Sequence, residues 1–123
     1  MARAYLNIVK NGLSSGDNTI YTCPQGGQAI VKVVNIYNTT AGAVTVSTKV
    51  LDSSSTTTGV WNETSVSANT QERVLQNGEV IILESSDVLK INAGTGTAID
   101  SIVSLLQITW GQYGVVWFYS RYW

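Results

Sequence analysis

The chain has 123 residues and a net charge of −1, and 44% of its residues are hydrophobic while 12% are charged. One domain with a packed core fits this length and composition, and a disordered tail does not. The lysines are scattered at positions 10, 32, 49 and 90 rather than clustered, so binding to nucleic-acid phosphates is not expected.

Short runs of strand-forming residues, separated by turn residues, recur along the chain. Val, Ile and Thr are frequent in these runs, and β-branched residues fit the pleated surface of a sheet. Strands are predicted at about residues 5–9, 18–23, 28–37, 44–50, 60–66, 73–75, 80–83, 88–91 and 99–110. Short strands at intervals of roughly 8–12 residues are typical of a β-sandwich or small barrel.

The stretch Ile20–Asn38 contains the only proline and the only cysteine of the chain. Pro24 has no backbone donor for a ladder, and Gly26-Gly27 tolerates positive φ, so we predict two successive strands joined by a tight turn. The second strand is apolar on both faces, which favours a central strand covered on two sides. Lys32 falls among the apolar residues of one face of this strand, with Ile30 and Val34 on either side. It indicates a bulge, or a lysine that reaches for an edge.

Two connections are predicted in the middle of the chain. Asn77-Gly78 lies between the apolar runs Arg73–Leu75 and Val80–Leu83, and this is the strongest short-range signal for a hairpin with a type I′ turn. The polar stretch Asp52–Gly59 should form an exposed loop. Val60–Val66, which follows it, is predicted as a weak strand or a loop.

The last long apolar segment, Ile99–Trp110, could be a helix or a strand. Ile99, Ile102, Val103 and Leu106 match a helical stripe, but the segment lacks a convincing helix cap and ends in strand formers, so a strand is favoured. The predicted fold is all-β: a single antiparallel β-sandwich, jelly-roll or Ig-like, with an aromatic C-terminal arm or edge strand. We divide the chain into an N-terminal strand or arm (1–17), a sandwich domain (18–110) and a C-terminal extension (111–123).

Residues suited to catalysis or metal binding are few. The chain contains no histidine, which excludes Ser-His-Asp and Cys-His systems and histidine-ligated zinc. Cys23 is the single cysteine, so an internal disulfide is excluded and a small buried side chain is expected. Glu84 and Asp87 share one turn, where acids are usually solvated, and their combination with Asp52 or Asp100 lacks the spacing of a calcium loop. We therefore expect no enzymatic activity, no metal and no cofactor.

The N-terminus lacks the apolar core of a signal peptide. No apolar run in the sequence approaches the roughly 18 residues that a membrane span requires. We therefore expect no membrane partner, no secretion by a signal peptide, and a protein that is made in a cytoplasm.

The final segment, residues 110–123, differs from everything before it, because it holds three of the four tryptophans, three of the six tyrosines and the only phenylalanine. Seven such side chains can bury on the order of 1,000–1,700 Å², which exceeds the patch of roughly 300–600 Å² that a monomer typically exposes. The segment is either a final strand that pads its own core or an arm buried against a neighbouring subunit. Trp, Tyr and Arg are the residue types that anchor interfaces, which favours the neighbour. The predicted interface residues are Trp110, Tyr113, Trp117, Phe118, Tyr119, Arg121, Tyr122 and Trp123.

Three motifs together carry a family resemblance. The first is Ile20–Gly26 with the following Ala29-Ile30-Val31, the second is Val44-Thr45-Val46, and the third runs from Asn77-Gly78 to Ile91. In this pattern the chain resembles a family of small β-sandwich structural proteins of tailed bacteriophages, including cyanophages. The match covers roughly residues 18–110, and Cys23 stands where the family usually has an aliphatic residue.

The resemblance implies a role in the virion as a non-enzymatic structural protein. The leading hypothesis is a capsid cement (decoration) protein, a homotrimer that binds to the major capsid protein. A neck, tail or fibre-attachment component built on the same sandwich is the alternative. A third hypothesis from another class is a carbohydrate-binding module in which Trp61 acts as a stacking platform.

Overall fold

The computed structural model describes residues 2–109, and all the regular elements in that range are β-strands. These strands are β1 (Ala2–Lys10), β2 (Gly16–Thr22), β3 (Gly27–Asn38), β4 (Val44–Asp52), β5 (Thr57–Val66), β6 (Gln71–Arg73), β7 (Ile81–Leu83), β8 (Val88–Ala93) and β9 (Ile99–Thr109). Each predicted strand overlaps one of them, so the all-β class is confirmed. The described residues contain no helix long and apolar enough to cross a membrane.

The strands form two antiparallel sheets. One has five strands in the order β1-β9-β3-β6, with β7 also paired to β3, and the other has four in the order β2-β8-β4-β5. β6 and β7 lie along the same edge of β3, opposite 35–37 and 29–31 respectively. When they are counted as one interrupted strand, eight strands form two four-stranded sheets in the order of a jelly roll. Of the two predicted sandwich types, the jelly roll is therefore the one found.

The inner faces of the two sheets enclose one apolar core. Its largest fully buried side chains come from both sheets and include Ile36, Leu83, Ile99, Leu105, Leu89, Ile91, Val46 and Val66. In β9 the burial alternates, since Val103 is buried while Ile102 is exposed. The alternation confirms the preference for a strand over a helix in this segment.

β3 is the central strand of the five-stranded sheet, with β9 on one edge and β6 and β7 on the other. Its register with β9 shifts between Val31 and Val33, so the predicted bulge at Lys32 is confirmed. The predicted covering of both faces is not found among the described residues. Val31 on the inner face is fully buried, whereas Ile30 on the outer face is half-buried and Tyr37 is exposed.

The two strands and the tight turn predicted within Ile20–Asn38 are found, but the two strands do not pair with each other. β2 pairs with β8 and β3 pairs with β9, so the Pro24–Gly27 turn carries the chain from one sheet to the other. The turn itself is present, because Gly27 N donates to Pro24 O at 3.0 Å and Gly26 has a φ of 79°. Since the turn joins two layers of a sandwich, each strand satisfies its backbone groups with a strand that is distant in sequence.

The hairpin predicted at Asn77-Gly78 is wrong, since both flanking strands pair with β3 instead of with each other. A tight turn is present: Glu79 N donates to Gln76 O at 2.9 Å, and Gly78 has a φ of 77°. Positive φ at Gly78 without positive φ at Asn77 is the sign pattern of a type II turn. The type I′ turn, which matches the twist of a hairpin, would need both.

The exposed loop predicted for Asp52–Gly59 is shorter than expected. β4 extends to Asp52 and β5 begins at Thr57, so Ser53–Thr56 alone forms the connection. Threonine is a good strand former, and the Thr-rich half of the polar stretch joins β5. Val60–Val66, predicted as a weak strand or a loop, lies wholly within β5.

Candidate functional site

β6 and β7 are separated by residues 74–80, which we call the excursion. Val74 N still donates to Val34 O at 2.9 Å, and after this bond the chain leaves the edge of β3. Gln76 N donates to Oε1 of Glu79 at 2.9 Å, so the turn of the excursion is held by its own side chain. The excursion stands beside the bulge at Lys32 and opens the edge of the sheet there.

Two neighbouring grooves border the excursion. The first, of about 360 Å³, is lined by Lys32, Arg73, Leu75, Gln76, Asn77, Gly78, Glu79 and Val80. The second, of about 290 Å³, extends to the edge strand β5 and is lined by Trp61, Asn62, Glu72, Arg73, Val74, Gln76 and Glu79. Because Arg73, Gln76 and Glu79 line both, the two grooves join into one surface, which we call the Trp61 groove.

The Trp61 groove combines an aromatic ring with hydrogen-bonding side chains. Trp61 lies on β5, rather than in a polar loop, and is 45% exposed. Its indole supplies a flat apolar plane, while Asn62, Glu72 and Gln76 supply amide and carboxylate donors and acceptors. A ligand with an apolar face and hydroxyl edges, such as a sugar ring, matches this combination.

The outer face of the five-stranded sheet, which points away from the core, carries a line of apolar side chains. The register places Tyr5 opposite Leu106, Leu106 opposite Ile30, and Ile30 opposite Ile82. These four residues, which we call the apolar row, cross β1, β9, β3 and β7. Tyr5 is 78% exposed and Ile82 is 54% exposed, so both ends of the row are open to solvent.

A second apolar pair lies on the same face, where Val9 stands opposite Ile102 with exposures of 59% and 44%. Asn7 and Ser104 lie between this pair and the apolar row, and Ser104 Oγ donates to Oδ1 of Asn7 at 2.6 Å. We call the row and the pair together the outer apolar face. Large contiguous apolar patches are rare on monomeric proteins and mark interaction sites, so this face is a candidate interaction surface.

The outer face of the four-stranded sheet has the opposite chemistry. Its register places Asp17 opposite Asn92, Asn92 opposite Ser47, and Ser47 opposite Glu63; we call these four the polar row. Asn92 Nδ2 donates to Oδ1 of Asp17 at 2.7 Å, and Lys49 Nζ lies 3.1 Å from the same oxygen. The hydrogen bond from Asn92, followed by that from Lys49, holds the pKa of Asp17 below its ordinary value.

The acidic pair singled out in the sequence serves the loops. Asp87 is buried, and its Oδ2 accepts from Glu84 N at 2.9 Å while its Oδ1 accepts from Ser53 N at 3.0 Å. These bonds tie the β7–β8 turn to the β4–β5 connection. Cys23, which bonds to the same turn through its backbone, is buried as predicted. Burial, followed by the charge of Asp87, raises the pKa of the Cys23 thiol, and a buried thiol of raised pKa is unreactive.

Within residues 2–109, no three His, Cys, Asp or Glu side chains form a group that could hold a metal ion. The other acids considered for calcium support turns instead. Oδ1 of Asp100 accepts from Gly12 N at 2.8 Å, and Oδ1 of Asp52 accepts from Ser54 N at 3.0 Å. The hydrogen bonds from Ser54 lower the pKa of Asp52.

The contact residues predicted in the C-terminal segment lie outside the described residues. They are Trp110, Tyr113, Trp117, Phe118, Tyr119, Arg121, Tyr122 and Trp123. Sequence reasoning concentrated on this segment and missed the outer apolar face. A signal for that face was present, since Tyr5 and Val9 share a parity of β1 and the run that forms β3 is apolar on both parities.

No family model matches the sequence, and no curated protein matches it. Among solved structures, the chain is similar to a protein of Bacillus endospore appendages, which are described as a novel family of disulfide-linked pili. The two share 14% identity, 88% of this chain and 87% of that chain are covered, and the TM-score is 0.49. A protein of the T13 particle of IBDV shares 13% identity over 91% of this chain and 32% of that chain, with a TM-score of 0.40. A protein of the virus-like particle of Macrobrachium rosenbergii extra small virus shares 16% identity over 86% of this chain and 77% of that chain, with a TM-score of 0.39. Our assignment of the jelly roll rests on the strand order of the chain itself.

Proposed function

We propose that the protein is a non-enzymatic structural subunit of a tailed-bacteriophage virion, and specifically a capsid cement or decoration protein. The observation that supports this proposal most is the outer apolar face. Tyr5 and Ile82, at opposite edges of the sheet, are both more than half exposed, and such a surface is stable in water when another surface covers it. A subunit that assembles supplies that cover.

The family resemblance gives the proposal its virion context. The three motifs that carry it fall on β2 and β3, on β4, and on the segment from the excursion to β8. These elements form the frame of the sandwich. Residues 1–17 and 111–123 lie outside the shared pattern, and the specific contacts of this protein are proposed to come from them.

The proposed assembly is a homotrimer fastened to the major capsid protein. Subunits joined to each other and to a lattice bind through several weak contacts at once, and multivalency makes such attachment effectively permanent. The contact residues in this proposal are the seven aromatic side chains of residues 110–123 together with Arg121.

Copy number tests the location. Quantitative mass spectrometry of purified virions should find on the order of hundreds of copies of a cement protein, because it follows the icosahedral lattice. A neck, tail or fibre-attachment protein forms closed rings and would be present in about 3 to 24 copies. A low number would replace the cement proposal by the neck or tail alternative, and absence from virions would reject both.

Attachment can be tested with full-length variants on shells from which the protein has been removed. Trp117→Ala and Tyr119→Ala should each reduce co-sedimentation with the shells by at least tenfold, since buried aromatic anchors dominate interface energies. Gln112→Ala, a polar change in the same segment, should bind like the natural protein. Equal binding by all three variants would contradict the proposed contact residues.

A second candidate function, glycan binding, is favoured by the position of Trp61 in its groove. The full chain should bind one or more oligosaccharides of a glycan array saturably, and Trp61→Ala should abolish the signal. Val60→Ala is the matched control, because Val60 is an exposed apolar neighbour on β5 that does not line the groove. Binding that survives Trp61→Ala, or no binding at all, would reject this candidate.

A further inference from the structure

We infer that the outer apolar face receives residues 110–123 of a neighbouring copy of the chain. The inference deepens the proposed function and rests on its premise that the chain self-assembles. It assigns the partner surface of the C-terminal segment, which neither the sequence nor the proposed virion role specifies.

The chemistry of the face suits a dry, apolar cover. The apolar row crosses the sheet from one edge to the other, and the pair Val9 and Ile102 extends the surface along β1 and β9. The side chains between them, Asn7 and Ser104, are uncharged, and Ser104 Oγ donates to Oδ1 of Asn7. Covering these two side chains therefore buries no charge, and their side-chain oxygens already share a hydrogen bond.

The position and length of the C-terminal segment single it out as the occupant. β9 contributes Leu106 and Ile102 to the face, and residue 110 directly follows its last residue, Thr109. Residues 110–123, at about 3.3 Å per residue when extended, span up to about 46 Å, and β9 itself spans about 36 Å. One segment is thus long enough to cover the face, and its seven aromatic side chains match the aliphatic row in apolar character.

The direction of β9 favours a neighbouring copy over the chain's own face. Thr109 is paired with Ala2 on one side and Gly27 on the other, so β9 is held in the sheet up to its last described residue. The strand axis there points past the end of the sheet, because Ala2 and Gly27 are the first residues of β1 and β3. A segment that covers its own face must reverse direction at once, whereas one that continues along the axis reaches another molecule. Each copy then gives one segment and receives one, which is a head-to-tail contact, and such contacts form a ring when the rotation between copies closes.

Cysteine cross-linking between full-length chains tests the inference. One variant carries Ile82→Cys on the apolar row, and a second carries Trp117→Cys, Tyr119→Cys or Trp123→Cys. The two are mixed and treated with a short bismaleimide linker. Cys23 is 1% exposed and does not compete for the linker. We expect a cross-linked heterodimer at one or more of the three positions, at a yield at least tenfold above a control mixture in which Val60→Cys replaces Ile82→Cys.

The remaining outcomes would overturn the inference. If cross-links form only within a double variant such as Ile82→Cys/Tyr119→Cys, and never between chains, the segment covers its own face. A yield equal to that of the Val60→Cys control would show that the segment binds elsewhere. A cross-link between two Ile82→Cys chains alone would show that the faces of two copies pack directly on each other.

A second measurement separates this inference from the proposed virion role. Ile82→Lys should weaken self-association of the purified protein at least tenfold in sedimentation velocity, while Val60→Lys should not. Circular dichroism melting should show that both variants are folded. Unchanged self-association of Ile82→Lys would overturn the inference. If the natural protein self-associates but does not bind to the shells, the virion role is overturned and the inference stands.

Discussion

The two sheets of the sandwich each carry a row of four side chains across their outer face. The two rows have the same arrangement across four strands, but one is polar and the other is apolar. The polar row runs from Asp17 to Glu63 over four strands and is joined by hydrogen bonds such as that from Asn92 to Asp17. The apolar row runs from Tyr5 to Ile82 over four strands, with both of its ends more than half exposed.

This difference separates what the fold requires from what it does not. An antiparallel sandwich needs apolar residues on its inner faces, and its outer faces can be solvated, as the polar row is. Since one outer face of this molecule meets that expectation, the apolar row is not a general consequence of the architecture. It is a property of one sheet, and it agrees with a function in which that sheet is covered by another chain.

The largest expected effect comes from two consecutive leucines of β9. Leu105 is 2% exposed in the core, whereas Leu106 is half-buried in the apolar row. Leu105→Ala should lower the free energy of unfolding by about 2–5 kcal/mol, as core truncations do. Leu106→Ala should cost less, about 1–2 kcal/mol in the dilute monomer, because its side chain is only partly buried. Urea unfolding at micromolar concentration compares the two.

The opposite result for Leu106 would be informative. A cost equal to that of Leu105→Ala in the dilute monomer would mean that the apolar row is already packed within its own chain. The apolar row would then need no further cover, and the inference that a neighbouring copy covers it would fail.

The next effect concerns Asn38, a fully buried polar residue at the end of β3 that joins the two sheets. Its Nδ2 donates to the carbonyl oxygens of Gly42 at 2.8 Å and Val66 at 3.0 Å, and its Oδ1 accepts from Thr40 N at 2.9 Å. Asn38→Ala removes these hydrogen bonds, of which the one to Val66 O is buried, and should cost roughly 1–3 kcal/mol. The control Asn35→Ala, on the outer face of the same strand, should change stability by about 0.5 kcal/mol or less. Equal losses in thermal or urea unfolding would show that the buried network of Asn38 has no special role.

Sequence reasoning was most successful where a signal is local. Alternating apolar residues identified the strands, and the step at Lys32 identified the bulge, because both depend on side-chain parity within one strand. It failed where partners had to be chosen. Gly26-Gly27 and Asn77-Gly78 mark real turns, but whether the strands on either side pair with each other is decided by long-range packing of the two sheets.

The same limit applies to the candidate sites. Trp61 could be singled out because a tryptophan in a polar stretch is unusual, but its groove is built with the excursion, which is remote in sequence. The outer apolar face requires the register of four strands, and no single run of residues displays it.

A smaller effect is expected at Thr48, a buried polar residue of β4 in the four-stranded sheet. Thr48 is 1% exposed, and its Oγ1 has no hydrogen-bond partner among residues 2–109. Thr48→Val replaces that hydroxyl by a methyl group of the same shape and should raise the free energy of unfolding by up to about 1 kcal/mol. The control Thr45→Val, at an exposed position of β4, should change it by about 0.5 kcal/mol or less. A loss of stability in Thr48→Val would show that a buried water satisfies the hydroxyl.

The smallest expected effect is a pH dependence that arises in the polar row. The pKa of Asp17 is lowered in the folded protein, so its contribution to stability is present above the unfolded pKa of about 3.9 and is lost as the pH falls through the folded value. Its carboxylate is 41% exposed and therefore screened by solvent, so Asp17→Asn should cost less than about 1 kcal/mol at pH 7. The difference from the natural protein should shrink as the pH falls below about 3.9.

Salt should separate the two causes of the lowered pKa of Asp17. In about 1 M NaCl, Lys49→Gln should lose its effect because an exposed ion pair is screened, while Asn92→Ala should keep its effect because the hydrogen bond is short-range. An Asp17→Asn effect that does not shrink as the pH falls would show that the residue acts through packing, and the polar row would then owe its stability to shape rather than charge.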